Sequence, residues 1–371
     1  MTSPKTNERP VLDRTHTLQF EYNGRINDLV PIVLLNTLLN ILTLTIYRFW
    51  GKTRVRRYLW DSTALLGDRL EYHGTGGELC RGFLFVLFVI FVPVAITEFL
   101  ISSYFPLDHA AHAIFQFSVG LLFWSLLGVA IYRARRYRLS RTRWRGVRAS
   151  QTGSSFAYSM KYIAFTVLTI ITLGWAYPIM RMRLMGMMMN NTWFGDRRFY
   201  FEGPAWPLYK RFTICWLFSA GLLLLLGVTF KTFFSNFNNA ANIGSLTEVS
   251  GSLVIYGIIG FLALGIILGV TFCFYKAAEL RQFARSTRFE GLDFVMNVTT
   301  GRLLWLVIGN TLILLLTLGF GLAFTQMRVF RFACNRIDAR GSINFDAIIQ
   351  SKNKGPDFGE GLADALDVGA V

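Results

Sequence analysis

Asn36 and Asn40 stand four residues apart in an apolar run, Asn36-Thr37-Leu38-Leu39-Asn40-Ile41-Leu42-Thr43, and Asn310 opens a similar run that reaches Thr317. In a helix that spacing puts both amides of the first run on one face. Polar groups in an apolar helix are costly to leave unpaired. They bond to a neighbouring helix, at about 0.6–2 kcal/mol per bond, or they line a polar cavity. The first use is the ordinary one. The functional reading groups Asn36, Asn40, Thr43, Thr172, Asn310 and Thr317 around one cavity. Gly174, Pro178, Gly319 and Gly321 would let the helices break beside it. Broken helices near the midplane are a transporter feature, although structural membrane helices break too.

A second set is cationic. Arg54, Arg57, Arg183, Arg328 and Arg331 follow directly after apolar stretches. Their ordinary use is to snorkel toward lipid headgroups. The sharper use is an anion or anionic-lipid headgroup site at the cytoplasmic face, which the basic run 133–148 (RARRYRLSRTRWRGVR) also suits.

No catalytic residue can be assigned, because the chain has no GxSxG, HExxH or P-loop pattern. An enzyme is not expected, nor a cofactor. Glu98, inside an apolar stretch beyond Pro93, reads as an interfacial carboxylate before a proton-coupling one. Asp108, His109 and His112 are too sparse a set for a metal, and no metal site is expected. The four cysteines form no CxxC pair, so neither a disulfide framework nor a zinc site is implied.

Composition decides what must position these residues. Of 371 residues, 53% are hydrophobic, only 16% are charged, and 34 are Phe. The mean hydropathy is +0.41. A soluble enzyme, a coiled coil and a disordered chain are excluded, and a multi-pass helical membrane protein remains. Seven apolar segments stand out, at 29–50, 82–105, 113–132, 160–180, 212–230, 251–275 and 303–327. The net charge of +16, from 38 Lys+Arg against 22 Asp+Glu, is explained by basic cytoplasmic loops. Without a nucleic-acid motif it does not call for nucleic acid. Residues 82–132 carry no Lys or Arg, and 212–275 carry only Lys231. These read as two membrane hairpins with loops 106–112 and 231–250 outside. The first, fourth and seventh segments have basic flanks on both sides. Charge therefore favours re-entrant or interfacial segments there, while the length of 29–47 would allow a crossing. The polar N-terminus has no apolar core, so no cleavable signal peptide is expected.

Those same segments share an internal repeat. Its core is [LI]-T-L-[TG] at Thr43, Thr172 and Thr317, with an arginine eleven residues on, at Arg54, Arg183 and Arg328. An aromatic-x-Gly element recurs beside it: Tyr22-Asn23-Gly24, Tyr72-His73-Gly74, Trp144-Arg145-Gly146, Phe201-Glu202-Gly203 and Phe289-Glu290-Gly291. Alternating residues ending at Gly predict short strands on the cytoplasmic side. The third copy looks degraded at Ile343-Asn344-Phe345-Asp346.

The turn regions Thr43 to Tyr47 and Thr172 to Tyr177, the run Tyr47-Arg48-Phe49-Trp50-Gly51-Lys52, and Tyr72-His73-Gly74-Thr75-Gly76 are similar to the YjgN-like family of bacterial inner-membrane proteins. The similarity covers about 20–346, and Thr45 departs from the pattern where the other copies have Gly174 and Gly319. The resemblance implies a bacterial inner membrane and no assigned chemistry.

The expectation is thus an all-α multi-pass membrane protein. It has seven apolar helical segments, a threefold internal repeat and short cytoplasmic β-strands. The units are 1–81, 133–211 and 276–346 (repeats), 82–132 and 212–275 (transmembrane hairpins), and 347–371 (a disordered acidic tail). The expected function is a transporter- or channel-like role for a small, anionic solute. The alternative is a non-catalytic scaffold organising lipid or partner proteins. Membrane lipids, through anionic headgroups, are the expected partners, with no nucleic acid. The N-terminus is expected in the cytoplasm.

Overall fold

The computed structural model describes residues 17–105, 110–243 and 246–350. It divides into two compact units: Met1–Gly203 with Phe283–Asn297 and Asn310–Val371, and Pro204–Gln282 with Val298–Gly309. The tail beyond 350 and residues 106–109 lie outside the described residues.

The all-α expectation is corrected by the first unit, whose organising element is a sheet. Its strands are β1 (Thr17–Tyr22), β2 (Thr63–Leu65), β3 (Asp68–Tyr72), β4 (Thr142–Trp144) and β5 (Val147–Gln151). They continue as β6 (Thr192–Phe194), β7 (Arg197–Phe201), β8 (Thr287–Phe289), β9 (Leu292–Met296) and β10 (Ile337–Arg340). Each pairs antiparallel with its neighbours, and β10 closes on β1, giving a ten-stranded barrel. At the seam Leu18 faces Ala339, and Gln19 Nε2 donates to Asp338 Oδ1 at 3.1 Å. Closure gives every strand a hydrogen-bonded neighbour on both sides.

Side chains fill the barrel. Leu18, Phe289, Leu292, Ala339 and Ile348 are buried together, with Phe194, Phe199 and Phe294 packed on them. The rings of Phe199 and Phe289 stack at 4.4 Å, a contact worth about 0.5–1.5 kcal/mol beyond its buried area. Phe345 meets Trp144 edge-on at 4.9 Å. The stretch expected to be a degraded third copy therefore contributes to the core: Phe345 and Ile348 follow β10 and pack within the barrel. Gln350 anchors the same stretch by accepting from the Arg148 N–H at 2.7 Å.

The aromatic-x-Gly elements have two different roles. At Tyr22, Tyr72 and Phe201 they end β1, β3 and β7, as the alternation predicts. The tyrosine ring folds back over the glycine. A Cβ at Gly24 would lie 2.4 Å from Tyr22 Oη, and one at Gly74 would lie 2.5 Å from Tyr72 Oη. At Trp144 and Phe289 the following pair forms the hairpin turn itself, with positive φ at Arg145 (49°), Gly146 (76°), Glu290 (44°) and Gly291 (84°). Two consecutive positive φ angles match the twist of a two-residue hairpin. Threonine starts four of the even strands. The hydroxyls of Thr63, Thr142, Thr192 and Thr287 donate to the carbonyls of Leu59, Arg138, Met188 and Phe283 at 2.8–2.9 Å, locking each strand to the helix before it.

Helices connect odd strands to even ones. Between β1 and β2 lie α1 (Ile26–Leu42) and α2 (Arg48–Asp61). Between β3 and β4 run α3 (Gly76–Val86), a π-helical turn (Leu87–Phe91), α4 (Val92–Tyr104) and α5 (Ala110–Arg141). Between β5 and β6 lie α6 (Ser155–Ile171) and α7 (Tyr177–Met189). The second unit supplies the β7–β8 connection through α8 (Trp206–Ile243) and most of α9 (Leu246–Arg285). Within it Phe212 packs edge-on against Tyr275 at 5.5 Å, and the fully buried Glu279 pairs with Lys276. The last connection is α10 (Thr300–Leu316) and α11 (Leu322–Cys334).

Seven membrane-length segments were expected. Among the described residues three helical stretches are long and apolar enough to cross a bilayer: Gly76–Tyr104, Ala110–Arg141 and Trp206–Thr229. The segments at 29–50, 160–180 and 303–327 each break at a turn, leaving apolar helices α1, α6 and α10 of 17 residues. The loop expected over 231–250 is also corrected, because α8 stays helical to Ile243.

Candidate functional site

The three breaks share one construction. Leu44 and Thr45 have φ of 48° and 72°, Leu173 and Gly174 have 50° and 92°, and Leu318 and Gly319 have 49° and 89°. The second residue of each pair returns a bond to a carbonyl five residues back: Thr45 to Asn40 at 2.7 Å, Gly174 to Thr169 at 2.6 Å, Gly319 to Leu314 at 2.8 Å. Left-handed residues that recapture orphan carbonyls are how helices stop. The repeat threonine then bridges the break. Thr43 donates to Leu39 O at 2.7 Å and accepts from Tyr47 N at 3.0 Å. Thr172 donates to Leu168 O and accepts from Ala176 N, and Thr317 donates to Ile313 O and accepts from Gly321 N. These three hydroxyls hold the turns together and do not line the cleft described next.

That cleft, of about 290 Å³, lies among α1, α2 and α11. Asn36, Thr37 and Asn40 enter it from α1, Arg48, Gly51 and Lys52 from α2, and Gln326 from α11. Asn36 is 7% exposed. Its Nδ2 donates to Gly51 O at 3.3 Å, and its Oδ1 is buried with no partner in the chain. Asn40 Oδ1 is in the same state. Gly51 gives Asn36 its room, since a Cβ there would sit 3.2 Å from Asn36 Cγ. The Arg48 guanidinium stacks over Phe49 and Phe83 at 4.9 and 4.7 Å. Burying two amide oxygens without donors is unfavourable by about 1–3 kcal/mol each.

Of the six cavity candidates, the cleft thus unites Asn36 and Asn40. Asn310 also has a buried, unpartnered Oδ1, but it is not part of the lining. The sequence reading missed Thr37, Arg48, Gly51, Lys52 and Gln326. The signal was available in the repeat, because Gly51 and Lys52 align with Met180 and Arg181 while Asn36 aligns with Phe165.

The arginine candidates divide between strand-end contacts and exposed or half-buried positions. Arg57 Nη2 donates to Gly74 O at 2.9 Å, and Arg331 Nη2 donates to Gly24 O at 2.8 Å, so both clasp the ends of barrel strands. Arg54 and Arg183 are exposed, and Arg328 is half-buried on α11. Glu98 lies between α4 and α5 in a groove with Phe91, Gln116 and Phe123. His112 Nε2 lies 3.3 Å from Phe105 O. Among the described residues no cluster of three metal-ligating side chains occurs.

Three helical stretches long and apolar enough to cross a bilayer, with a packed, closed barrel and a polar cleft beside broken helices, fit a membrane protein. The family described as "Bacterial protein of unknown function (DUF898)" matches residues 17–365, and the chain belongs to it. It is 32% identical over 116 residues to "Inner membrane protein YjgN" of Escherichia coli O157:H7, covering 30% of this chain and 29% of that one. It is 32% identical over 110 residues to the protein of the same name from Escherichia coli strain K12, covering 29% and 27%. Likewise it is 33% identical over 86 residues to that of Salmonella typhimurium, covering 23% and 21%. The chain therefore matches less than a third of the length of these curated relatives. No solved structure matches.

Proposed function

We propose that this chain is a non-catalytic bacterial inner-membrane protein that takes up an anionic group in the cleft of its first repeat, as the binding step in moving a small anionic solute. The carrying observation is the cleft itself. Arg48 and Lys52 supply positive charge beside Asn36 and Asn40, whose buried carbonyls lack a partner in the chain. Polar groups in membrane helices point to a pathway or a ligand. The barrel is packed with Phe194, Phe199 and Phe289, so this reading routes the solute among helices and not through the strand ring. Basic helices next to the barrel favour a cytoplasmic barrel and N-terminus.

A lipid-organising scaffold is the second reading. It is favoured by the bare apolar tips of the repeats, with Leu44 at 85% and Leu318 at 87% exposed. Anionic headgroups are the proposed partners, without nucleic acid. The test is flux of a panel of small organic and inorganic anions into proteoliposomes. Uptake by the wild type that falls at least about tenfold in Arg48→Gln, with unchanged thermal unfolding, supports transport. Equal leakage with and without protein for every anion rejects it.

A further inference from the structure

The cleft asks for two things at once. Arg48 and Lys52 line it as cations, and their positive charge favours an anion. Asn36 Oδ1 and Asn40 Oδ1 are buried acceptors and require donors. Inorganic phosphate satisfies the first demand well and the second poorly. A phosphate ester that also carries hydroxyl groups satisfies both, with its oxygens against the cations and its hydroxyls against the amides.

The mouth of the cleft adds a third demand. Phe320 and Leu322 line it and are 55% and 44% exposed, and the adjoining Leu318 is 87% exposed. Leu44 and Ile46, at the tip of the first repeat, are 85% and 60% exposed. Tips this apolar are suited to hydrocarbon. A ligand seated in the cleft would leave through a mouth flanked by apolar side chains.

Resting on the anion-binding reading above, we infer that the ligand of the first-repeat cleft is an amphiphile, a lipid whose headgroup is a hydroxyl-bearing phosphate diester. The phosphate sits by Arg48 and Lys52, the headgroup hydroxyls reach Asn36 and Asn40, and the acyl chains run along Leu318, Phe320 and Leu322. Free polyol phosphates share the headgroup chemistry but leave the apolar mouth uncovered.

The experiment uses the full chain in nanodiscs of phosphatidylcholine doped with phosphatidylglycerol, phosphatidic acid or phosphatidylethanolamine. Retained lipid is counted by native mass spectrometry after transfer to detergent, and soluble glycerol phosphate and inorganic phosphate serve as competitors. The expected result is selective retention of phosphatidylglycerol, reduced about tenfold or more by Asn40→Leu and by Arg48→Gln. Leu318→Ser with Phe320→Ser should weaken lipid retention by a larger factor than glycerol phosphate binding. Thermal unfolding of each variant separates a lost site from a lost fold, and Arg48→Lys should restore part of the binding. Phosphatidic acid retained as well as phosphatidylglycerol overturns the hydroxyl assignment. Glycerol phosphate competing at the lipid's own affinity overturns the amphiphile while leaving an anion site. Failure of every probe to bind the wild type overturns both readings.

Discussion

The helix pairs α1–α2 and α6–α7, which hold the first two copies of the expected repeat, fold alike and differ inside. Each sends a 17-residue apolar helix out from a strand, breaks it at a left-handed Leu pair, bridges the break with threonine, and returns. In the second repeat Met180 stands where the first has Gly51 and is 7% exposed. It packs with Tyr132, Tyr158 and Leu184, and Thr166 and Thr169 reach its sulfur at 4.0 and 3.7 Å. In the first repeat that volume is left to Asn36, and Phe165 of the second repeat marks the aligned position. Turn geometry is therefore shared scaffold, and the cleft arises from a few substitutions on the inner face. The second repeat is a hydrophobic core and the first is a core with its filler removed.

That contrast can be broken in order of effect. Met180→Ala should cost about 2–5 kcal/mol of unfolding free energy, as large-to-small core changes do, and should leave anion binding intact. Denaturant unfolding and a binding titration on one preparation check both halves. Gly51→Met, which gives the first repeat the residue of the second, should abolish binding. The added side chain meets Asn36 and should cost about 1–3 kcal/mol by overpacking. Undiminished binding would mean the cleft is not the site.

A smaller effect is expected at the turns. Thr45 holds φ of 72°, where the other repeats use Gly174 and Gly319. A β-branched residue in that region is strained by about 1–2 kcal/mol. Thr45→Gly should raise the melting temperature of the first repeat's contribution, and Gly174→Thr should lower stability by a similar amount. Scanning calorimetry on the pair reads both signs.

The smallest effect is electrostatic. Asp61 ends α2 where the second and third repeats carry Asn190 and Asn335. Asn190 forms two bonds to the Phe201 backbone, accepting from its N–H at 2.7 Å and donating to its carbonyl at 3.2 Å. Desolvation raises the Asp61 pKa above its ordinary 3.8, against the pull of Arg69. The folded chain then holds more protons than the unfolded one between those values, so stability falls as pH rises through that window and is level above it. Asp61→Asn should remove that slope and leave the protein slightly more stable at neutral pH. Melting temperatures measured across the acidic range check it.

Parts of this were legible in the residues. Thr43, Thr172 and Thr317 mark the three breaks correctly, and Tyr22, Tyr72 and Phe201 mark three strand ends. Barrel closure was hidden because each strand is short and its partner is remote. Thr17 pairs with Arg340, a register set by the whole chain and by no local pattern. Trp144-Arg145-Gly146 and Phe289-Glu290-Gly291 look like the strand-end motif but form turns, because they precede a second strand and not a helix. The threonines looked like cavity residues because a hydroxyl in an apolar run is conspicuous, yet main-chain groups at the break consume both its bonds. Arg57 and Arg331 were read as anion ligands, and each also donates one bond to a strand-end carbonyl, which no local pattern announced. Gly51 carried no polar signal of its own, because its contribution is the missing side chain.

The central claim is that removing the filler made a binding site. The most direct measurement is organic phosphorus per chain in protein purified from membranes, comparing wild type with Gly51→Met after matched washing. Phosphorus should be retained by the wild type and lost from Gly51→Met, with Met180→Ala retaining as much as the wild type. Equal phosphorus in the wild type and Gly51→Met, with both folded, would contradict it.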